Sequence, residues 1–320
     1  MGDTAISQHA DRIHLALKAN GAARSALVAS WQRSSTLHHL DPADRRPPRR
    51  ITDSELRLAR ERMEPLIRAA QASLDRLYLA VGGVGCCVLL ADRNGVPVER
   101  RGAAADDRTF QDWGLWPGAV WSEEIEGTNG IGTCLVEQRP LTIHRDQHFF
   151  SRNTLLSCTT VPLHDHEGKI AAALDISSCR ADLTEGFLHL ISVAVADAAR
   201  RIEAELFRLA FPAARLLLAP TPDHSPAALI AVDQDDLVIG ASRAARAALG
   251  LTADRFAKPF PAADLLGGAA PEDIGEAERS ALRRALARAN GNVSAAARHL
   301  GVSRATLHRK LARFGLERTG

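Results

Sequence analysis

No stretch of this sequence stays apolar for the roughly 20 residues a membrane-spanning helix needs, and Met1 to Gln8 lack the basic-then-apolar layout of a secretory leader. A cytoplasmic protein with no membrane partner is expected. Cysteine is scarce: Cys86, Cys87, Cys134, Cys158 and Cys179 lack the paired spacing of a zinc finger, and their odd number argues for thiols rather than a disulfide framework. No metal site is expected. Aromatic residues are only 4%, hydrophobic residues 46% and charged residues 24%, an ordinary composition that excludes wholesale disorder and fibrous classes. At 320 residues the chain exceeds one ordinary domain, and two or three are expected.

Net charge is only +2, but it is unevenly spread: from Glu276 to Gly320 nine arginines and Lys310 face three glutamates, so the rest of the chain is acidic. A basic end on an acidic protein suggests a nucleic-acid-facing module. Upstream, Ala10 to Ala19 and Ala22 to about His39 read as helices, and the Arg/Pro run 45–50 reads as a linker. Thr52 and Glu55 fit a capping box opening one long helix whose apolar stripe runs from Leu56 through Met63, Leu66 and Leu74 to Val81, with Gly82 and Gly83 ending it. Strands are expected at Cys86 to Asp92, Val96 to Arg100, Leu141 to His144, Leu155 to Leu163 and Lys169 to Ser177. A glycine-punctuated helical region lies between Ser122 and Gln138, and a long closing helix runs from Leu183 to Leu209. Helix, antiparallel strands, helix is an α+β layout. Prolines make 211–226 read as a linker, followed by a short strand-turn-strand-helix unit at 228–250 and a second linker at 258–273. The expected divisions are 1–50, 51–210, 211–272 and 273–320.

The tail has helix-turn-helix spacing. An amphipathic helix over Glu276 to Ala289 is broken by Asn290-Gly291, a short helix runs from Asn292 to Leu300, Gly301 turns, and Ser303 caps a last helix to Phe314. Ala297 is small where two helices cross, and Leu300, Val302, Leu307 and Leu311 are apolar pegs behind the last helix. Arg304, Thr306 and His308 are then expected near bases, with Arg298, Arg309, Lys310 and Arg313 near phosphate and the Ser303-capped helix start favouring an anion.

Asn290 to Leu316 (NGNVSAAARHLGVSRATLHRKLARFGL) resembles the Fis-type helix-turn-helix that ends bacterial enhancer-binding activators. The resemblance implies dimerisation through the first helix of the module, over Ala281 to Ala289, and binding to pseudo-palindromic double-stranded DNA. Trp121 to Cys134 (WSEEIEGTNGIGTC), Gln147-His148-Phe149, Cys158, Pro162, Leu174 to Ser177, Ser30 to Ser34 (SWQRS) and the helix at Glu55 to Glu64 together resemble the GAF sensor region of acetoin-type catabolic sigma-54 activators over about residues 25–205. The unit at 228–250 resembles a remnant of a PAS domain. Activators of that group carry a central AAA+ ATPase whose phosphate loop ends in Gly-Lys-Ser/Thr. Here the lysines are Lys18, Lys169, Lys258 and Lys310; only Lys169 follows a glycine, and Ile170 follows it. No ATPase activity is expected.

The expected function is therefore a homodimeric, sequence-specific transcriptional regulator answering a small molecule, with RNA polymerase as a further partner, no cofactor and no enzymatic activity. Candidate ligand residues are Trp113, Trp116 and Trp121 as apolar walls, Gly127, Thr128 and Asn129 as an anion-holding helix start or a packing turn, and Cys134 and Cys158. His144, His148, His164 and His166 read as exposed loop histidines, and Cys86-Cys87 as inert core. Two alternatives stand beside this: an antagonist or architectural partner of full-length activators on DNA, and a cysteine redox enzyme or sensor using Cys134 or Cys158.

Overall fold

The computed structural model describes residues 3–19, 21–23, 25–180, 184–222, 225–267 and 273–316. Leu183, Pro271 and Glu317 lie outside the described residues. The chain divides into two compact units, Met1–Ala262 and Ala263–Gly320. Among the described residues no helix is long and apolar enough to cross a membrane.

The first unit is α+β. Helices α1 (Asp3–Lys18) and α2 (Ala26–Gln32) precede the Arg/Pro segment, and α2 widens into a π-type turn over Arg33–Leu37. That segment is not a free linker, because Arg50 bridges Ala119, the Val120 amide donates to the Arg49 carbonyl and the Ile51 amide donates to the Gly118 carbonyl. The capping box forms as expected: Thr52 Oγ1 accepts from the Glu55 amide, and the Glu55 carboxylate accepts from the Thr52 amide at 2.7 Å. The single helix expected beyond it is two, α3 (Asp53–Arg62) and α4 (Glu64–Val81). The reason is Pro65, which has no amide to donate and fits only in a first turn, so a new helix starts there.

Strands β1 (Cys86–Asp92) and β2 (Pro97–Arg101) form an edge hairpin, followed by α5 (Asp107–Asp112), α6 (Glu123–Glu126) and α7 (Gly130–Glu137). Strands β3 (Leu141–His144), β4 (Ser157–His164) and β5 (Ile170–Ser178) complete an antiparallel sheet in the order β2-β1-β5-β4-β3. One face, carrying Val88, Leu90, Val161, Leu163 and Leu174, packs on α4 and on α8 (Glu185–Ala210). The other face, carrying Leu89, Ala91 and Cys158, packs on Phe110, Leu115, Trp121 and Ile131. Alternation along each strand sends successive side chains to opposite faces, so one central sheet serves two cores.

The proline-rich stretch 211–226 is more than a linker. It contains β6 (Arg215–Leu218), which pairs with β7 (Leu229–Val232), which pairs in turn with β8 (Leu237–Ala241); helix α9 (Arg243–Leu249) follows, and β9 (Phe260–Pro261) closes a second antiparallel sheet. Arg215 to Leu218 alternates too weakly to announce a strand, and its pairing with the fully buried β7 decides its conformation. The long α8 is shared between the sheets: Ile191, Val195 and Ile202 belong to the first core, while Ala204 and Phe207 pack with Leu229 and Ala231 in the second.

The second unit opens with α10 (Ala263–Leu266), then α11 (Ile274–Arg288), α12 (Val293–His299) and α13 (Arg304–Arg313) around Leu282, Ala285, Ala296, Ala297, Leu307 and Leu311. Gly301, at φ +66°, makes the turn before α13 in a left-handed conformation that a side chain would strain.

Phe207 is 1% exposed at the junction of α8 with the second sheet. Phe207→Ala is expected to destabilise the first unit by about 3–5 kcal/mol, read by urea unfolding, and to make 211–262 the first region cut in limited proteolysis.

Candidate functional site

Two sites are built by these elements. In the second unit, Leu307 and Leu311 bury one face of α13 and leave Arg304, His308 and Arg309 exposed on the other, with Thr306 half-buried. Ser303 caps the helix, its hydroxyl accepting from the Thr306 amide at 3.1 Å. Arg298 and His299 are exposed at the end of α12. Lys310 and Arg313, expected at phosphate with the others, are held back: Lys310 is salt-bridged to Glu278 on α11, and Arg313 lies 3.7 Å from the same carboxylate. Position on α13 gave Arg309, Lys310 and Arg313 the same expected role at phosphate, and only the crossing of α11 separates Arg309 from the two that Glu278 partly neutralises. The apolar stripe of α11 is likewise spent inside the unit, with Leu282 and Ala285 buried.

The second site, in the first unit, centres on a buried acid. Glu123, whose side chain is fully shielded, accepts from Arg33 Nε at 2.6 Å and Nη2 at 3.0 Å and from Ser30 Oγ at 2.8 Å. Ser30 Oγ also meets Thr128 Oγ1 at 2.7 Å, and Ser34 meets Thr128 at 3.4 Å. The SWQRS and WSEEIEGTNGIGTC segments are therefore two sides of one contact, the π-type turn at Arg33 setting its guanidinium against α6. A second buried acid beside it, Glu126, is forked by Arg152 Nη2 at 2.7 and 2.8 Å, and burial raises its pKa. Arg33 and Arg152 escaped sequence reasoning; the signal was the acidic pair in a segment with no nearby cation, which needs partners from elsewhere once buried.

The glycine run at 127–132 is committed to packing. Asn129 Oδ1 accepts from the Gly132 amide at 2.8 Å and the Gly130 amide bonds the Cys158 sulfur, so donors expected to be available to an anion are taken inside the protein. A Cβ at Gly132 would stand 2.4 Å from the Glu123 amide, and one at Gly127, where φ is +61°, would stand 2.7 Å from Phe149. Trp121 is core, donating from Nε1 to the Gly114 carbonyl at 2.7 Å; Trp113 packs beside it, and Trp116 lies over Arg100.

Beneath α7 the sheet carries a polar floor. Asp175 accepts from Thr160 and Ser177 hydroxyls at 2.5 Å each, and burial raises its pKa to about 6. Cys158 Sγ accepts from Ser177 at 3.1 Å and stands 3.5 Å from His148 Nε2, whose Nδ1 faces the Arg145 carbonyl at 2.9 Å. Burial raises the thiol pKa of Cys158 well above its ordinary value and lowers His148 to about 4. The pair is thus held as neutral thiol and neutral imidazole, which is the reverse of an activated nucleophile. Burial likewise raises Cys134, and Cys86 to about 11.

The histidines are not exposed loops. His148 is fully buried, His144 bonds Ser157 at 2.8 Å, and His164 is 7% exposed, with Nδ1 and its backbone amide both on Glu203 of α8. His166 packs edge-on against Phe211. His164 is buried by its place on β4 and His148 in the loop after β3, while His144 and His166 are half-buried, which counting positions between them could not show. Among the described residues no group of three His, Cys, Asp or Glu side chains could hold a metal.

A GAF domain model matches residues 65–202, and the model for bacterial regulatory proteins of the Fis family matches residues 274–314. The chain thus carries a GAF domain and a Fis-type helix-turn-helix. It is 34% identical over 236 residues to the acetoin catabolism regulatory protein of Cupriavidus necator, a match covering 72% of the chain and 35% of that protein. It is 28% identical over 178 residues to the acetoin dehydrogenase operon transcriptional activator AcoR of Bacillus subtilis, covering 56% of the chain and 29% of that protein. Each match thus spans about a third of the length of the curated relative. The solved structure of the E. coli DhaR(N)–DhaL complex is similar in fold, with a TM-score of 0.53 at 15% identity, covering 74% of this chain and 80% of that one. The GAF match begins after Arg33, so the cation that holds the buried Glu123 comes from outside the matched segment.

Arg33→Ala, which strands the Glu123 carboxylate, is expected to destabilise the fold by about 3–5 kcal/mol, with much of the loss recovered when Glu123→Gln is added; urea unfolding of the three proteins checks this. Asp175 and His148 oppose each other in pH dependence. Asp175 binds its proton more tightly folded (about 6) than unfolded (3.8), so its contribution is present at low pH and lost as pH rises through 6. His148 (about 4 folded, 6.5 unfolded) contributes above 6.5 and loses that contribution as pH falls to 4. Each amounts to about 3 kcal/mol; Glu126 acts in the sense of Asp175, and His9 in that of His148. Relative to the native chain, stability between pH 4 and 6 is expected to rise more steeply with pH in Asp175→Asn and to shift toward falling with pH in His148→Gln, as read by chemical unfolding across that range.

Proposed function

We propose that this chain is a sequence-specific DNA-binding transcriptional regulator in which a small molecule bound by the GAF domain controls a dimeric Fis-type reader, without ATP hydrolysis. The observation that carries the reading is α13: a capped helix whose buried face is pinned by Leu307 and Leu311 and whose other face presents Arg304, His308 and Arg309. A forked guanidinium such as Arg304 suits guanine edges, and the helix start at Ser303 and the Arg298, Arg309, Lys310 and Arg313 cations suit phosphates. Dimerisation through α11 would fit a two-fold operator. The relatives' printed names, regulators of acetoin catabolism and of an acetoin dehydrogenase operon, support catabolic control as the setting. RNA polymerase is the expected downstream partner.

One observation also favours a second reading. Between the sensor and the reader, where a phosphate loop would be needed, no Gly-Lys-Ser/Thr occurs, and a small antiparallel sheet occupies residues 215–261. A reader that occupies operators beside ATP-hydrolysing activators and blocks them would be built this way. Transcription measured with such an activator present separates the two readings: direct control changes output without it, antagonism only with it.

Genomic fragments retained by the purified chain at near-physiological salt are expected to be enriched in a pseudo-palindrome. Featureless retention would remove the sequence-reading role. On the enriched site, Arg304→Ala is expected to cost about tenfold or more in affinity and to relax specificity, whereas Arg309→Ala should weaken all sequences alike and reduce the salt slope by about one. Glu278→Gln, which releases Lys310 and Arg313, is expected to tighten binding and steepen the salt dependence.

A further inference from the structure

We propose that Arg100 is the recognition residue of a small-carboxylate site in the GAF domain; this rests on the reading that the domain binds a small effector and names its chemical class. Arg100 lies on β2 opposite Leu89, and directly paired residues point to the same side of a sheet. Its side chain therefore leaves the sheet on the face of Leu89, Phe110 and Trp121, away from the face covered by α4 and α8. There it is only 9% exposed, with its guanidinium stacked 4.5 Å from the Trp116 ring centroid and 5.1 Å from that of Phe110.

One end of the guanidinium is satisfied, Nη1 donating to Asp107 Oδ1 at 2.8 Å. The other two nitrogens, Nε and Nη2, are closed off from solvent and, among the described residues, have no acceptor. These two N–H groups form a single edge of the guanidinium, the edge that takes both oxygens of a carboxylate in parallel. Gly102 makes room for it: a Cβ there would stand 2.3 Å from Nη2. Burying charged donors without partners is costly, and a fork held rigid between two rings with its free edge unpaired is the arrangement of a group whose acceptor comes with a ligand. Arg152 offers no such edge, since its Nη2 is already spent on Glu126 and only Nε is left over.

The surroundings select the ligand class. Asp107 already balances the Arg100 charge, so a monocarboxylate leaves one net negative charge, whereas phosphate near pH 7 would leave about 1.5, and more as it loses its second proton, in a site walled by aromatic rings. Trp116 and Phe110 offer apolar surface beside the fork, which suits an aromatic or aliphatic body behind the carboxylate. Because the donor edge is closed to solvent, entry requires the packing around it to shift, and Trp116, stacked on the guanidinium, places a fluorophore beside that change.

The experiment titrates the full chain with acetate, benzoate, benzamide and inorganic phosphate, following tryptophan fluorescence and Tm. Acetate and, more tightly, benzoate are expected to give saturable fluorescence changes and raised Tm, with benzamide and phosphate inert. Arg100→Lys, which keeps the charge but loses the fork, should weaken benzoate about tenfold or more. Arg100→Met should abolish binding while melting no lower than the unliganded native chain. The site is overturned if neither carboxylate saturates, if benzamide binds as well as benzoate, if Arg100→Lys keeps native affinity, or if Arg100→Met melts well below the native chain. Operator affinity measured in parallel separates the two claims. Arg100-dependent benzoate binding that leaves DNA affinity unchanged upholds the site and counts against ligand control; failed carboxylate binding with a DNA response to another small molecule sinks the site alone.

Discussion

The first unit is organised around a carboxylate that cannot reach water. Glu123 is sealed beneath α2, and a bare charge there would be prohibitively expensive, so the fold must deliver a cation to it. Arg33 does so from nearly a hundred residues upstream, with Ser30 filling a further acceptor position. That requirement brings α2 onto the domain and sets Thr128 against Ser30 and Ser34. It also accounts for Gly132, since α7 lies so close to the Glu123 backbone that a methyl group would not fit. The glycines of this segment serve close approach of backbones, and the Gly130 and Gly132 amides are taken by Cys158 and Asn129.

The same economy governs the polar floor. Asp175, Thr160, Ser177, Cys158 and His148 satisfy one another across β4, β5 and the segment before β4, and burial keeps Cys158 and His148 neutral and raises the Asp175 pKa to about 6. A thiol beside an imidazole invites a catalytic interpretation, but the nearest groups withdraw the conditions for it: no cation stabilises the thiolate, and burial disfavours both charged partners. Arginines show the contrast between spent and available charge. Arg33, Arg152 and Arg101 are consumed by internal acids, Arg313 is partly so, and Arg304 and Arg309 present theirs outward.

Helix α8 gives the first unit its continuity. It closes the core of the larger sheet with Ile191, Val195 and Ile202, takes the His164 hydrogen bond at Glu203, and then supplies Ala204 and Phe207 to the smaller sheet. A displacement of β4 would act on α8 through His164 and Glu203, one turn before the residues that seat the second sheet. Coupling of this kind requires a ligand with different affinity for two arrangements of the helix.

Patterns of short range were legible in the amino-acid sequence. The Thr52–Glu55 capping box, the strands at 86–92 and 170–178, the turn at Gly301 and the inward Leu307 and Leu311 all follow from local hydrogen bonding and from periodicities of two and 3.6 residues. The resemblance to GAF and Fis-type modules was legible for the same reason, because those motifs are largely local. Only the tertiary structure decided which charges meet. Arg33 with Glu123, Lys310 with Glu278, and Arg100 with Asp107 on one edge and no partner on the other, are outcomes of how elements cross. Strand β6 and the burial of His148 and His164 belong to the same class. Desolvation and ion pairing depend on distances between segments far apart in the chain, and these no periodicity encodes.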